Sequence, residues 1–292
     1  MNNKYKVVII GCGVAGMTAA LYLNRAGIDC IILEKSMPGG QIVDNGNIMN
    51  FPSYESISGS DLAIKMLKQI TDLGVPVKYE EVTEIKIDKE KKVITSKDEY
   101  LCDYVIIATG RKPKLLGVKG EDELRTKGIS YCAVCDGALY KNKDVVVVGA
   151  SDAAFEGAIY LSKLVSSVTV LYRNEFRAKA YLQDMIKKID NISFVKGEVE
   201  SFSKDDRITI KTKNSGDIIT DGVFIYIGQI PNASFLEPLN VLDDRGYIKT
   251  DNNLMTSIDG VYAVGDALKK FDYQIVIAMG EAARVALEIS RR

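Results

Sequence analysis

The chain has 292 residues, 47% of them apolar, and 38 basic residues against 39 acidic ones for a net charge of −1. That length and composition suit about two globular domains and exclude a disordered chain or a small disulfide-stapled scaffold, while the charge balance points to neither nucleic acid nor an anionic membrane as partner. Histidine and tryptophan are absent, which excludes Ser-His and Cys-His nucleophiles and histidine-bearing zinc sites and leaves proton transfer to carboxylates, thiols, Lys or Tyr.

The apolar stretch 5–23 is nearly long enough to span a bilayer, but Gly11, Gly13 and Gly16 interrupt it. A Val/Ile run at 7–10, a glycine turn and an alanine-rich pattern predict a buried parallel strand feeding a helix, with neither a spanning helix nor a signal peptide. Gly11-Cys12-Gly13-Val14-Ala15-Gly16 has the spacing of a dinucleotide fingerprint, and Glu34 closes the next strand, at 30–33. The glycines allow the turn and the close approach of a pyrophosphate, the helix N-terminus attracts its charge, and the carboxylate accepts a ribose hydroxyl. An acid at this position repels a 2'-phosphate, which selects FAD or NAD(H) over NADP(H). Residues 80–100, with Val82, Ile85, Ile87, Val93 and Ile94, predict a small antiparallel meander before a strand at 104–108. Arg111-Lys112-Pro113-Lys114 then reads as a solvated linker.

Cys132-Ala133-Val134-Cys135-Asp136 is the sharpest signal in the chain. Two thiols separated by two residues can close a readily exchanged disulfide; half of a zinc site is the competing reading, but two further ligands are missing and no metal is expected. Asp136 either protonates a departing thiolate or caps a helix. Five cysteines in a long chain suit a reducing compartment, here the cytoplasm. A second strand at 145–148 runs into the turn that starts at Gly149, so a mononucleotide-binding unit occurs twice. Beyond it lie a polar meander at 194–220, an apolar run at 222–227, a break at 228–231, a strand at 260–266 and an alanine-rich helix at 274–290. The expected fold is α/β, with two Rossmann-like domains that each add a small antiparallel meander to a parallel sheet. Residues 1–112 and 242–292 form one domain and 113–241 the other.

These motifs resemble the low-molecular-weight thioredoxin reductase family, flavoprotein disulfide reductases built from two Rossmann-like domains. The likeness covers nearly the whole chain and rests on residues 11–16, Gly39-Gly40-Gln41, Ala108-Thr109-Gly110, Cys132 to Asp136 with Gly137, residues 228–232, and Gly265-Asp266 with Gln274. It implies FAD in the first domain, with Lys35 and Asn50 as further contacts, Asp266 on the ribityl chain, and Gln274 with Ile275 near the pyrimidine ring, where a helix N-terminus favours the reduced, anionic flavin. It also implies that Cys135 faces the flavin, that Cys132 attacks thioredoxin, and that the protein is a C2 homodimer.

The second glycine turn departs from the family pattern. Gly149-Ala150-Ser151-Asp152-Ala153-Ala154 places a serine where the central glycine lets pyrophosphate approach, and the basic run that grips the 2'-phosphate of NADPH is reduced to Tyr172-Arg173-Asn174 with Arg177 farther on. Each charge-assisted phosphate contact contributes roughly 1.5 to 3 kcal/mol, so two missing residues weaken NADPH by about a hundredfold or more. The resemblance then extends to the ferredoxin-dependent flavin thioredoxin reductases, with reduced ferredoxin as the expected donor; it would be a separate protein, since the chain has no cluster-binding cysteine spacing. A reductase driven by NADPH or NADH through a degraded site, and a flavin-dithiol redox sensor without turnover, are the alternatives. The middle domain is expected to rotate about hinges near 112–114 and 239–243.

Overall fold

The computed structural model describes residues 3–44, 48–125 and 127–292, without the side chains of Asp44 and Cys135. The chain divides into two compact units, residues 1–112 with 230–292 and residues 113–229. No helix among the described residues is long and apolar enough to cross a membrane.

In unit 1, β1 (Lys4–Ile10) runs into α1 (Val14–Arg25) and on to β2 (Cys30–Glu34). All of β2 is buried, as expected of a strand covered on both faces. α2 (Gly59–Asp72) begins at Ser58, whose hydroxyl accepts the Asp61 N–H at 3.0 Å and so satisfies one of the helix's free donors. Four strands follow: β3 (Val77–Tyr79), β4 (Val82–Ile87), β5 (Lys91–Thr95) and β6 (Glu99–Ile107). The chain enters unit 2 through β7 (Arg111–Pro113).

Unit 2 opens with α3 (Glu121–Leu124), β8 (Ile129–Ser130) and α4 (Ala133–Asp136). Then come β9 (Asp144–Val148), α5 (Asp152–Ser162), β10 (Ser167–Tyr172), α6 (Ala180–Ile186) and β11 (Ile192–Lys196). β12 (Val199–Lys204), β13 (Ile208–Thr212) and β14 (Ile218–Thr220) form an antiparallel meander, and β15 (Gly222–Ile225) returns to the parallel sheet. The chain leaves in β16 (Gln229–Pro231), which pairs with β7, and completes unit 1 with β17 (Val261–Ala263) and α7 (Ile275–Ser290).

Among the described residues the sheet of unit 1 is ordered β3-β2-β1-β6-β5-β4, with β17 also on β6, and that of unit 2 is ordered β11-β10-β9-β15-β8. In each, the strand that runs into a glycine turn, β1 in unit 1 and β9 in unit 2, lies inside the sheet, and the turn leaves its C-terminal end, where open α/β sheets bind ligands.

Three sequence expectations change. The meander at 80–100 and the strand at 104–108 are not separate, because β6 pairs antiparallel with β5 at Glu99 to Cys102 and parallel with β17 at Val105 to Ile107, while β1 runs parallel to it from Leu101 to Ile107. The break at 228–231 is partly a strand, β16. The second crossing falls between Gln229 and Ile230, where the sequence reading placed it at 241/242 and a hinge at 239–243. Leu236 and Val241 are buried in one cluster with Val8 and Ile107, and this apolar burial draws 230–241 into unit 1.

Candidate functional site

In unit 1 the Gly11–Gly16 turn is shaped by close backbone approach. Gly11 has φ +103°, and a Cβ there would stand 2.5 Å from the Ala108 carbonyl oxygen. At Gly16 a Cβ would lie 1.9 Å from the Gly11 oxygen, so α1 packs directly onto the turn. Gly13 differs: its backbone is extended, and a Cβ would meet only Gly39 and Gly40 atoms at 3.9 Å. Nothing in the protein demands glycine at 13, so the space beside it is free for an incoming group. Gly13 is also the N-cap of α1, with no side-chain cap and no acid in the first turn. The first N–H groups, around Val14 and Ala15, thus remain available to an anion.

Glu34, 8% exposed, accepts the Cys12 N–H at 2.7 Å on one oxygen and the Ser36 N–H at 2.9 Å on the other. Those two donors fix the carboxylate plane and leave lone pairs for ribose hydroxyls. Gly39 donates to the Cys12 carbonyl at 2.7 Å, which seats Gly40 and Gln41 against the same turn, and the Gln41 amide donates to the Arg111 carbonyl at 3.0 Å. Lys35 is exposed. Asn50 donates to the Gln274 side-chain oxygen at 2.9 Å, at the N-cap of α7 just before Ile275.

Beyond β6, Ala108-Thr109-Gly110 leads to Arg111, whose guanidinium lies 3.2 Å from Asp266 and 3.7 Å above the centre of the Tyr273 ring. Gly265, with φ +74°, donates to Glu281 at 2.7 Å, and Lys270 holds both Glu281 oxygens at 2.8 Å. Lys270 and Glu281 thereby fasten the Gly265-Asp266 turn to α7. Arg111, Lys270, Tyr273 and Glu281 were missed from sequence. Arg111 in particular is no solvated linker residue: 155 positions separate it from Asp266, a distance that composition cannot bridge.

Thr109 Oγ1 and Arg111 Nε are buried with no hydrogen-bond partner among the described residues. Buried polar groups left without a partner cost about 1–3 kcal/mol each, so both favour a ligand. An anion-ready helix end, an oriented carboxylate and two unsatisfied donors or acceptors in one unit fit FAD.

In unit 2, Cys132 is in a disulfide, while Cys12, Cys30 and Cys102 are free, buried thiols. The Cys135 side chain lies outside the described residues. Burial pushes the Cys12, Cys30 and Cys102 thiols up to about 12, the Glu34 charge adding to the effect at Cys12. As thiols rather than thiolates they are poor partners for exchange. The Ser130 hydroxyl accepts the Cys132 N–H at 3.0 Å and donates to the Cys132 carbonyl at 3.2 Å, and the Tyr226 hydroxyl accepts the Ala133 N–H at 2.6 Å. These bonds fix the entry to α4. Among the described residues Asp136 makes no side-chain cap bond to the turn 137–140 that follows it.

A pocket of about 410 Å³ opens at the end of β9, lined among others by Gly149, Ala150, Arg173, Arg177, Glu198 and Tyr226. Gly149 has φ +146°, and a Cβ there would stand 2.2 Å from the Tyr226 carbonyl oxygen. The Arg177 and Ala178 N–H groups both donate to the Ala150 carbonyl, at 2.8 and 3.1 Å, which folds the segment after β10 onto the glycine turn. The two arginines left of the basic run therefore face one cavity. Arg173 lies 3.7 Å from Glu198, but with its side chain 68% exposed that pairing is weak and yields readily to a phosphate.

The sequence profile described as "Pyridine nucleotide-disulphide oxidoreductase" matches residues 5–285. The thioredoxin reductase of Listeria monocytogenes is 40% identical over 287 residues, which is 95% of this chain and 90% of that protein. Among solved structures, thioredoxin reductase from Lactococcus lactis is 39% identical with a TM-score of 0.88, covering 98% of both chains. A ferredoxin-flavin thioredoxin reductase from Clostridium acetobutylicum is 30% identical with a TM-score of 0.54, covering 99% of this chain and 97% of its own.

Proposed function

The chain belongs to the pyridine nucleotide-disulphide oxidoreductase family, and on that basis we propose that it is a thioredoxin-disulfide reductase that draws electrons from a nicotinamide dinucleotide. The observation that carries the reading is the disulfide at Cys132, set in a unit with a nucleotide-sized pocket and joined to a unit with a dinucleotide cradle. We take Cys135, which completes the Cys-x-x-Cys spacing, as the partner sulfur, as the family resemblance implies.

FAD bound in unit 1 supplies a carrier able to take electrons from a nucleotide and pass them to a disulfide. The protein's residues do the rest. The α1 N-terminus and Gly13 hold the pyrophosphate, Glu34 the ribose, and Asp266 and Gln274 the flavin end. Once the dithiol is formed, Cys132 attacks the disulfide of thioredoxin, making a mixed disulfide and releasing one substrate thiolate. Cys135 then attacks Cys132, which restores the bridge and frees the second substrate sulfur. Asp136 is the acid that gives the departing thiolate its proton. The three free, buried thiols suit a reducing compartment, and a homodimer is what the family resemblance implies.

The comparisons do not favour ferredoxin as donor: the family is described by its pyridine nucleotide, and the likeness to the ferredoxin-flavin enzyme is the lower one. The pocket of unit 2, with Arg173 and Arg177 turned into it, supports a nucleotide. Ser151 at the place of the central glycine is the one observation that keeps ferredoxin as a second reading. Anaerobic mixing with NADPH, NADH or reduced ferredoxin separates them. A nucleotide is expected to bleach the flavin within a turnover time; bleaching by ferredoxin alone would overturn the proposal.

If the two arginines bind the 2'-phosphate, Arg173→Ala with Arg177→Ala raises the KM for NADPH by about a hundredfold or more, from two charge-assisted contacts of roughly 1.5–3 kcal/mol each. The KM for NADH stays within a few fold. Steady-state kinetics with both nucleotides checks this, and equal effects on the two would assign the arginines another task.

A further inference from the structure

Arg111 is 83% buried by its side chain exposure of 17%, although the charges and proline around it read as a solvated linker. Its guanidinium is held on two sides, by Asp266 at 3.2 Å and by the Tyr273 ring at 3.7 Å, and its carbonyl accepts from Gln41 at 3.0 Å. Tyr273 in turn accepts the Lys270 N–H at 3.4 Å, and Lys270 pairs with Glu281. The segment after β6 and the segment before α7 are thus tied together at Asp266, through a cluster whose two cations balance its two anions. Asp266 is itself largely buried, 21% exposed beside Arg111, and loss of the guanidinium removes the cation that pairs with it. A group so placed is costly and free to turn away.

We propose that Arg111 is a positioning residue that orients and neutralises Asp266, and thereby sets how tightly unit 1 holds FAD and how readily that flavin is reduced. The inference rests on the flavin reading of unit 1. Two consequences follow from electrostatics. Loss of the guanidinium releases the carboxylate from the direction it needs to meet the ribityl hydroxyls, which weakens the cofactor. It also leaves a net negative charge beside the flavin, which disfavours the anionic reduced form and lowers the reduction potential.

The test compares Arg111→Met, Arg111→Lys and Arg111→Met/Asp266→Asn with the wild type, reading FAD affinity by titration of apoprotein and the flavin midpoint potential by spectroelectrochemistry. Arg111→Met is expected to weaken FAD about tenfold or more, which is about 1.4 kcal/mol, and to shift the reduction equilibrium by about tenfold toward the oxidised form, about 30 mV for a two-electron couple. Arg111→Lys keeps the charge and loses the stacked fork, so affinity falls while the potential stays near that of the wild type; it also carries the test if the Met variant does not fold. The double variant removes both charges, so the potential returns while the affinity does not. Unchanged affinity and potential in Arg111→Met would overturn the inference alone, as would a double variant whose potential stays as low as that of Arg111→Met. A wild type without affinity for FAD would overturn the flavin reading and this inference together.

Discussion

Cys132→Ser abolishes thioredoxin reduction, lowering turnover by at least about three orders of magnitude, the scale on which loss of a covalent nucleophile is felt. Its flavin spectrum is unchanged, because the Gly11–Gly16 turn, Glu34 and Asp266 belong to the other unit. The size of the effect follows from the thiol chemistry of the whole chain. Cys12, Cys30 and Cys102 are buried, with affinities for protons pushed up to about 12, so none takes over the exchange. Cys135→Ser is equally inactive but differs in kind: Cys132 still attacks thioredoxin, and with no resolving sulfur the mixed disulfide persists. Non-reducing electrophoresis and mass spectrometry distinguish the two variants. An adduct with Cys132→Ser and none with Cys135→Ser would exchange the roles of the two sulfurs.

Gly13→Ala and Gly11→Ala are expected to fail in different ways. At Gly11 the positive φ and a backbone oxygen 2.5 Å from the new Cβ strain the fold itself, so the protein loses at least about 2 kcal/mol of stability. At Gly13 the backbone is extended and the nearest atoms stand at 3.9 Å, so the apoprotein keeps its stability within about 0.5 kcal/mol. What Gly13→Ala loses is the cofactor: a methyl group where the pyrophosphate meets the α1 N–H groups displaces about two charge-assisted hydrogen bonds, and FAD binding weakens by about a hundredfold or more. Denaturant unfolding of apoprotein and FAD titration measure the two quantities separately. If Gly13→Ala kept wild-type FAD affinity, the space beside residue 13 would not be the pyrophosphate site.

The parts of this site that were legible in sequence are local ones. The turn at 11–16 and the cysteine pair at 132–135 declare themselves because the spacing of a few neighbouring residues already dictates their backbone. What stayed hidden depends on contacts far apart in the chain. Arg111 looks like linker until Asp266 meets it. Arg177 looks too distant to serve a phosphate until its N–H, and that of Ala178, bond the Ala150 carbonyl and fold the intervening segment back. The crossing at 229/230 is likewise a matter of tertiary burial: residues 234–239 carry no strong periodicity, and only the packing of Leu236 and Val241 with Val8 and Ile107 assigns them to unit 1. The division of β6 between an antiparallel and a parallel neighbour leaves no mark on its own residues.

Electron uptake by the purified holoprotein tests the central claim most directly, since a flavin and an exchangeable disulfide on one chain each accept a pair. In anaerobic titration with dithionite the wild type is expected to take up twice the reducing equivalents per chain that Cys132→Ser does. Equal uptake by the two would mean that the bridge at Cys132 never receives electrons from the bound cofactor.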